Sequence, residues 1–322
     1  MWNGWPGSPL RSRMSRRPTD VRRNAITEQV PLNNAMKIAV TGSAGLFGRG
    51  LVQIIGSRHT VLPVSRAEAD ITKFDAVRAA FLRLRPDTVI HAAAIPNPDV
   101  CEADPARAFL VNVHGTRHVV EAAREIGAAV AYISTDAVFD GEKVIPYTES
   151  DPTKPPTVYG RTKLRGEQIV RNMERFWIFR VSVLFGPGKE NFIEKGLRSI
   201  KAGRDYVVAA DQIGSATYTV DAAHTILDVI ERGRYGLYHL SNQGACSRYD
   251  LARCAAEIAG LDVNKVIGVP SDQMGRRAKR LKYAVMEMHA LEAAGFSLPR
   301  PWRAALGDYV RPISQCSQRL DS

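Results

Sequence analysis

Lys163 follows Tyr159 by four residues, and no other tyrosine of the ten in the chain has a lysine four residues after it. On a helix this spacing puts both side chains on one face. A phenol beside an ammonium is an acid–base device, because the positive charge favours phenolate and lowers the phenol from its ordinary pKa of about 10. Such a tyrosine can give a proton to a carbonyl oxygen while hydride arrives at the carbon. Lys163 could also hold the nicotinamide ribose of a hydride donor. Thr135 closes an apolar run, where its hydroxyl can orient the same oxygen.

The hydride donor is implied by the glycine-rich turn Gly42-Ser43-Ala44-Gly45-Leu46-Phe47-Gly48. Gly42 permits a sharp exit from a strand, Gly45 leaves room for a pyrophosphate, and Gly48 lets the following helix pack close. The helix N-terminus then offers free N–H groups and a positive dipole end to the phosphates. The expected second strand ends Val64-Ser65-Arg66, without an acid at that point to bind a ribose 2′-hydroxyl. A guanidinium beside a hydroxyl suits a 2′-phosphate, so NADPH is expected over NADH.

The elements that must position these residues alternate. Apolar runs at 37–41, 60–64, 88–92, 129–133 and 176–181 read as buried strands. Between them, 46–57, 73–84, 105–126 and 157–173 read as helices, with Thr72 expected to cap the second and Gly127 to end the third. The rhythm predicts an α/β fold, a Rossmann-type doubly wound parallel sheet with a smaller C-terminal substrate-binding lobe. Its carboxyl edge, where Thr135 lies, is where ligands bind. The cofactor domain is expected over 36–181, with returns near 219–241. Residues 182–218 and 242–311, including short strands near 206–208, form the lobe, and 312–322 a tail.

Residues 1–35 lack apolar periodicity and carry six arginines against Asp20 and Glu28. They are expected to be a disordered basic tail, with Met36 a possible start of translation. The chain carries a net charge of +11. Without a nucleic-acid motif, that charge points to an anionic small substrate or a phosphate-bearing cofactor. No stretch is long and apolar enough for a membrane span. The four cysteines form no Cys-x-x-Cys pair, which suits a reducing, cytoplasmic setting and offers no zinc motif.

Several further stretches join these motifs: His91-Ala92-Ala93-Ala94, Val111-Asn112, Ser134-Thr135-Asp136-Ala137-Val138-Phe139-Asp140-Gly141, Tyr159-Gly-Arg-Thr-Lys163, Asn191-Phe192, Asp211-Gln212 and Gly236-Leu-Tyr-His-Leu-Ser241. Together they resemble the dTDP-4-dehydrorhamnose reductase family of extended short-chain dehydrogenases/reductases, from about residue 36 to about 310. The resemblance implies reduction of a nucleotide-linked 4-keto sugar, with Thr135, Tyr159 and Lys163 as the catalytic set. It implies Asp70 and Ile71 near the adenine, Ala92, Ala93 and Ala94 along the cofactor, and Asp136 near the sugar. Asn191, Gln212 and Arg280 are then candidates for holding the diphosphate or sugar, and Asn112 for shaping its helix. Two residues depart from the family pattern: Ala137 stands where a tyrosine is frequent and Val183 where a tryptophan is frequent. Both remove aromatic surface from a sugar pocket and bring related deoxysugars into view. Arg280-Leu281 replaces an Arg-Pro pair. The resemblance also raises a homodimer and a magnesium ion in some relatives, for which the sequence locates no site here. Two other readings remain open: a cofactor-binding regulatory subunit without chemistry, and an epimerase or dehydratase that retains NAD. The complete catalytic set favours catalysis over the first.

Overall fold

The computed structural model describes residues 35–320, with side chains to residue 315. The basic leader therefore lies, apart from Ala35, outside the described residues. Five strands fall where continuous apolar runs place them: β1 (Lys37–Thr41), β2 (Thr60–Val64), β3 (Thr88–His91), β4 (Ala129–Thr135) and β5 (Phe176–Val181). The lobe strands are β6 (Val183–Phe185), β7 (Tyr206–Ala209) and β8 (Ile213–Tyr218). Then come β9 (Gly236–His239), β10 (Ala245–Ser247), β11 (Val266–Val269) and β12 (Tyr283–Ala284).

The main sheet is parallel, in the order β2-β1-β3-β4-β5-β9. The chain steps outward from β1 to β2, then crosses back to β3 on the other side of β1. That reversal opens a crevice between the carboxyl ends of β1 and β3, the place where such sheets bind ligands. Apolar side chains fill both faces. On one, Phe47, Leu51 and Ile55 of α1 (Leu46–Ile55) meet Ala222, Ile226 and Ile230 of α8 (Thr219–Glu231). On the other, Val77 and Phe81 of α2 (Phe74–Leu84) pack with Val119 of α5 (Gly115–Glu125) and Val170 of α6 (Val158–Val170).

The lobe is built from chain that leaves this sheet after β5 and again after β9. Strand β8 pairs with β10, β12 and β6, and β7 pairs with β11. Its core joins Ile193 and Leu197 of α7 (Phe192–Lys201), Leu251 and Ala255 of α9 (Arg248–Ile258), and Leu306 and Val310 of α11 (Trp302–Leu320). Helix α11 continues through Pro312 to Leu320 where a tail is expected, with Ile313 still packed on the lobe core. Short α10 (His289–Ala293) covers the edge of the main sheet through Leu291.

Two local expectations change. The span 105–126 is not one regular helix. Following α3 (Pro98–Ala103) come α4 (Pro105–Phe109), a π turn (Leu110–His114) and then α5. The Gly115 N–H reaches back five residues to the Leu110 carbonyl, which widens the helix and swings Asn112 inward. Thr72 is not a cap either. Its N–H and hydroxyl both donate to Asp70 Oδ1, at 3.0 and 2.8 Å, which shapes the turn before α2.

Candidate active site

The cofactor crevice is set by backbone. Gly42 has φ +70°, and a Cβ there would lie 2.7 Å from the Ala93 nitrogen, so the β1 exit and the Ala92–Ala94 stretch meet without side chains between them. A Cβ on Gly48 would lie 2.1 Å from the Gly42 carbonyl oxygen, so α1 can approach the turn only with glycine there. The N-terminus of α1 begins after Gly45 with no side-chain cap and no acid in its first turn. Its N–H groups and dipole end are thus presented to an anion, which fits a dinucleotide pyrophosphate. Ala44 is exposed and Leu46 half-buried, whereas the Phe47 ring belongs to the core, so Phe47 can serve a cofactor only through its backbone.

At the β2 exit, Arg66 is 79% exposed and its Nε donates to Asp70 Oδ2 at 3.3 Å. The sequence shows no acid at the strand end, but folding brings one there: the Glu68 carboxylate accepts from the Ser65 N–H and is held below the usual carboxylate range by Ser65. Ile71 is buried against Gly115, where a Cβ would lie 2.7 Å from Ile71 Cδ1. Asp70 is fixed by Thr72 and Arg66 and held below its ordinary value.

The predicted catalytic residues converge. Strand β4 ends in Thr135, and Thr157 caps α6 by accepting from the Gly160 N–H at 3.0 Å, which starts the helix in the right place for Tyr159 and Lys163. The Thr135 hydroxyl donates to Asp136 Oδ1 at 2.9 Å and accepts from the Ala137 N–H at 3.2 Å. Tyr159, in the first turn of α6, lies close enough to this threonine to be influenced by it. Burial lifts the Tyr159 phenol well above its ordinary value, with the nearby Asp136 charge adding to the rise and Thr135 opposing it. That is opposite to the direction expected from a lysine neighbour alone. The reason is where Lys163 points. Its Nζ donates to the Ile133 carbonyl at 2.6 Å and sits 3.9 Å from the Tyr132 ring centroid, rather than on the phenol. Burial brings Lys163 down to about 7, with Glu167 opposing the fall.

Behind the helix, Asn112 Oδ1 accepts from the Ile95 N–H at 2.8 Å. Its Nδ2 donates to the Ile95 carbonyl at 3.2 Å and to Thr162 Oγ1 at 3.0 Å. The Thr162 hydroxyl in turn donates to the Tyr159 carbonyl at 2.8 Å. One inward amide therefore joins the loop after β3 to the catalytic helix.

On the lobe side, Asp136 is half-buried and accepts a hydrogen bond from Ser182 Oγ at 2.5 Å as well as the one from Thr135. Burial raises it above its ordinary value. Gln212 and Arg280 share a cleft of about 690 Å³ with Arg276, Lys279, Lys282 and the Asp140–Val144 loop. Gln212 Nε2 is a buried donor with no hydrogen-bond partner there. Arg280 is not free in that cleft, since it grips both Asp99 oxygens at 2.6 and 3.3 Å and the Ala278 carbonyl at 2.9 Å. Asn191 is engaged within the lobe. It caps α7 through the Ile193 N–H and donates to the Gly186 carbonyl and the Tyr309 hydroxyl, so its amide holds the lobe together.

Arg248 is the residue that sequence reasoning missed. It is the first residue of α9, within the Ser247–Asp250 capping box, and its guanidinium lies 4.9 Å from the Phe192 ring centroid. Burial lowers it to about 10, helped by the Arg276 and Arg280 charges, with Tyr206 and Asp136 pulling the other way. It thus lies within electrostatic reach of both Asp136 and the arginines of the basic cleft. The overlooked signal was its position: a cation in the first turn opposes the helix dipole, which stability alone disfavours. Among the described residues no group of three or more His, Cys, Asp or Glu side chains could hold a metal ion. Nor is any described helix long and apolar enough to cross a membrane.

Comparison with known proteins agrees with this geometry. The family model described as the RmlD substrate binding domain matches residues 36–315. The dTDP-4-dehydrorhamnose reductase of Mycolicibacterium smegmatis is 35% identical over 316 residues, covering 97% of this chain and 95% of that protein. A dTDP-4-keto-6-deoxy-D-glucose reductase of Streptomyces niveus is 37% identical over 270 residues, covering 83% and 94%. The solved structure of Bacillus anthracis dTDP-4-dehydrorhamnose reductase in complex with NADP aligns with a TM-score of 0.83 at 32% identity, over 86% of this chain and 99% of that one. The chain belongs to the dTDP-4-dehydrorhamnose reductase family.

Proposed function

We propose that this protein reduces the 4-keto group of dTDP-4-dehydro-L-rhamnose to give dTDP-L-rhamnose, with NADPH as reductant. The observation that carries this reading is the meeting of Thr135 and Tyr159 at the carboxyl edge of the sheet, with Lys163 one turn below, beside a glycine turn open to a pyrophosphate. NADPH, when bound, supplies hydride to the keto carbon. Tyr159 stays protonated through the working pH range, so it is in the form that donates to the keto oxygen. Thr135, fixed by Asp136 and Ala137, orients that oxygen. Lys163 stabilises the negative charge left on Tyr159 once its proton has gone. Arg248 and Arg276, with the unpartnered Gln212 donor, supply the charge and hydrogen bonding that a nucleotide diphosphate requires. Arg66 would turn from Asp70 to a 2′-phosphate, which is the basis for NADPH.

Ala137 and Val183 favour a second reading within the same chemistry, reduction of another dTDP-linked 4-keto-6-deoxysugar. The test is a panel of both sugar nucleotides with NADPH and NADH, followed by loss of reduced-cofactor absorbance. Turnover with dTDP-4-dehydro-L-rhamnose and NADPH, higher than with the alternatives, is expected. No turnover with any keto sugar nucleotide overturns the proposal.

A further inference from the structure

Beneath the catalytic residues lies a charged cluster that the reduction itself does not use. Glu167 follows Lys163 by one turn of α6 and is 1% exposed. Its Oε1 accepts from Ser134 Oγ at 2.5 Å and from Arg180 Nε at 2.9 Å, and its Oε2 accepts from Arg180 Nη2 at 2.8 Å. Ser134 and Arg180 are register partners on β4 and β5, and Ser134 directly precedes Thr135. One carboxylate on the catalytic helix therefore grips both strands under the catalytic threonine. The Arg180 guanidinium packs 5.1 Å from the Phe139 ring centroid, and its remaining Nη1 has no hydrogen-bond partner.

A buried ion pair is a poor way to gain stability, because desolvation offsets the attraction and apolar residues of similar shape often serve as well. Its position gives a better reason. The groups facing Lys163 are the Ile133 carbonyl and Tyr132 ring of β4, His91 of β3, and Glu167 of its own helix. His91 is hydrogen-bonded to Thr41 and Thr116 and is neutral, pushed down to about 3 by burial and then by the Lys163 charge. Among the described residues Glu167 is thus the carboxylate that opposes the desolvation of the ammonium.

We propose that Glu167, clamped by Arg180, is a positioning residue for the reduction. It fixes the Ser134–Thr135 strand end against the helix bearing Tyr159 and Lys163, and it keeps Lys163 in the ammonium form. The inference rests on the roles given above to Thr135, Tyr159 and Lys163. Two substitutions separate its two parts. Glu167→Gln keeps an acceptor for Ser134 but removes the charge. Ser134→Ala keeps the charge but cuts the tie to the strand.

The experiment is the pH dependence of kcat for NADPH-driven reduction in the full-length wild type and both variants, with Tyr159→Phe as control. A rate that needs the Lys163 ammonium is lost as pH rises through the lysine pKa. In Glu167→Gln this alkaline limb moves to lower pH by about one unit, and the rate above the limb falls about tenfold. KM for both substrates stays near wild type. Ser134→Ala lowers kcat without moving the limb. Should Glu167→Gln fail to fold, the double variant Glu167→Gln/Arg180→Met removes both charges, and the limb moves the same way by less. A limb that stays in place in a folded charge-removed variant overturns the proposal. An active Tyr159→Phe enzyme would instead overturn the functional reading beneath it.

Discussion

Replacing Asn112 by alanine tests whether the π turn exists to tie the cofactor loop to the catalytic helix. The side chain is 1% exposed and makes three hydrogen bonds, two to the Ile95 backbone and one to the Thr162 hydroxyl. Each such bond contributes about 1 kcal/mol net, and leaving the Ile95 N–H without its acceptor adds about as much again. A loss of about 3 to 4 kcal/mol follows, some of it recovered where water enters. For a chain of this size each kcal/mol moves Tm by roughly 2 to 3 °C, so a drop of about 6 to 12 °C is expected. Thermal unfolding monitored by circular dichroism measures it. Because Ile95 directly follows the Ala92–Ala94 stretch and Thr162 bonds the Tyr159 carbonyl, NADPH affinity and kcat should fall together. Asn112→Asp sharpens the test. It keeps an acceptor for Ile95 but replaces two donors by a buried carboxylate, and should destabilise at least as much. A variant with Tm within 1 °C of wild type and unchanged NADPH affinity (the threshold being about the precision expected of such melts) would refute the coupling.

Other expectations follow from the same geometry. Gly48→Ala places a Cβ 2.1 Å from the Gly42 carbonyl oxygen, so it should cost about 1 to 3 kcal/mol in thermal unfolding and abolish dinucleotide binding in a fluorescence titration. Arg66→Ala, which removes an exposed guanidinium, should raise KM for NADPH about tenfold while leaving KM for NADH nearly unchanged; equal effects on both cofactors contradict its reading of the 2′-phosphate. Arg248→Met keeps the packing on Phe192 but loses the charge, so KM for the sugar nucleotide should rise about tenfold or more with a small change in kcat. With Lys163 at about 7, kcat in the reductive direction should fall as pH rises through that region, since the ammonium is lost there. A rate that climbs steadily from about pH 6 to about pH 8, roughly one unit on either side of that value, contradicts the need for ammonium.

The sheet could be read from the chain because parallel strands buried on both faces are written as unbroken apolar runs, and β1, β3, β4 and β5 are such runs, whereas the edge strand β2 is apolar but only partly buried. The glycine turn and the Tyr159–Lys163 pair were legible because their spacing is local and their chemistry distinctive. What was hidden depends on contacts between distant segments. The stretch 105–126 contains ordinary helix formers, and only the pairing of Asn112 with Ile95 accounts for the widened turn. Glu68 reaches the strand end through a turn that no strand pattern reveals. The Glu167–Arg180 pair needs the register of β4 against β5, and the Arg248 environment needs the lobe closed over the sheet. The structural work of Asn191 was hidden in part, since its local cap of α7 is adjacent in sequence but its bond to Tyr309 is not.

In the proposed reaction Tyr159 gives a proton to the sugar carbonyl while NADPH gives hydride. The decisive measurement is single-turnover reduction of dTDP-4-dehydro-L-rhamnose with stoichiometric NADPH, comparing wild type with Tyr159→Phe. Stoichiometric NADPH oxidation by the wild type is expected, with a rate lower by about 10² to 10⁴ in the variant and equal NADPH affinity in both. Equal rates in the two proteins, or no oxidation by the wild type with NADPH bound, would contradict it.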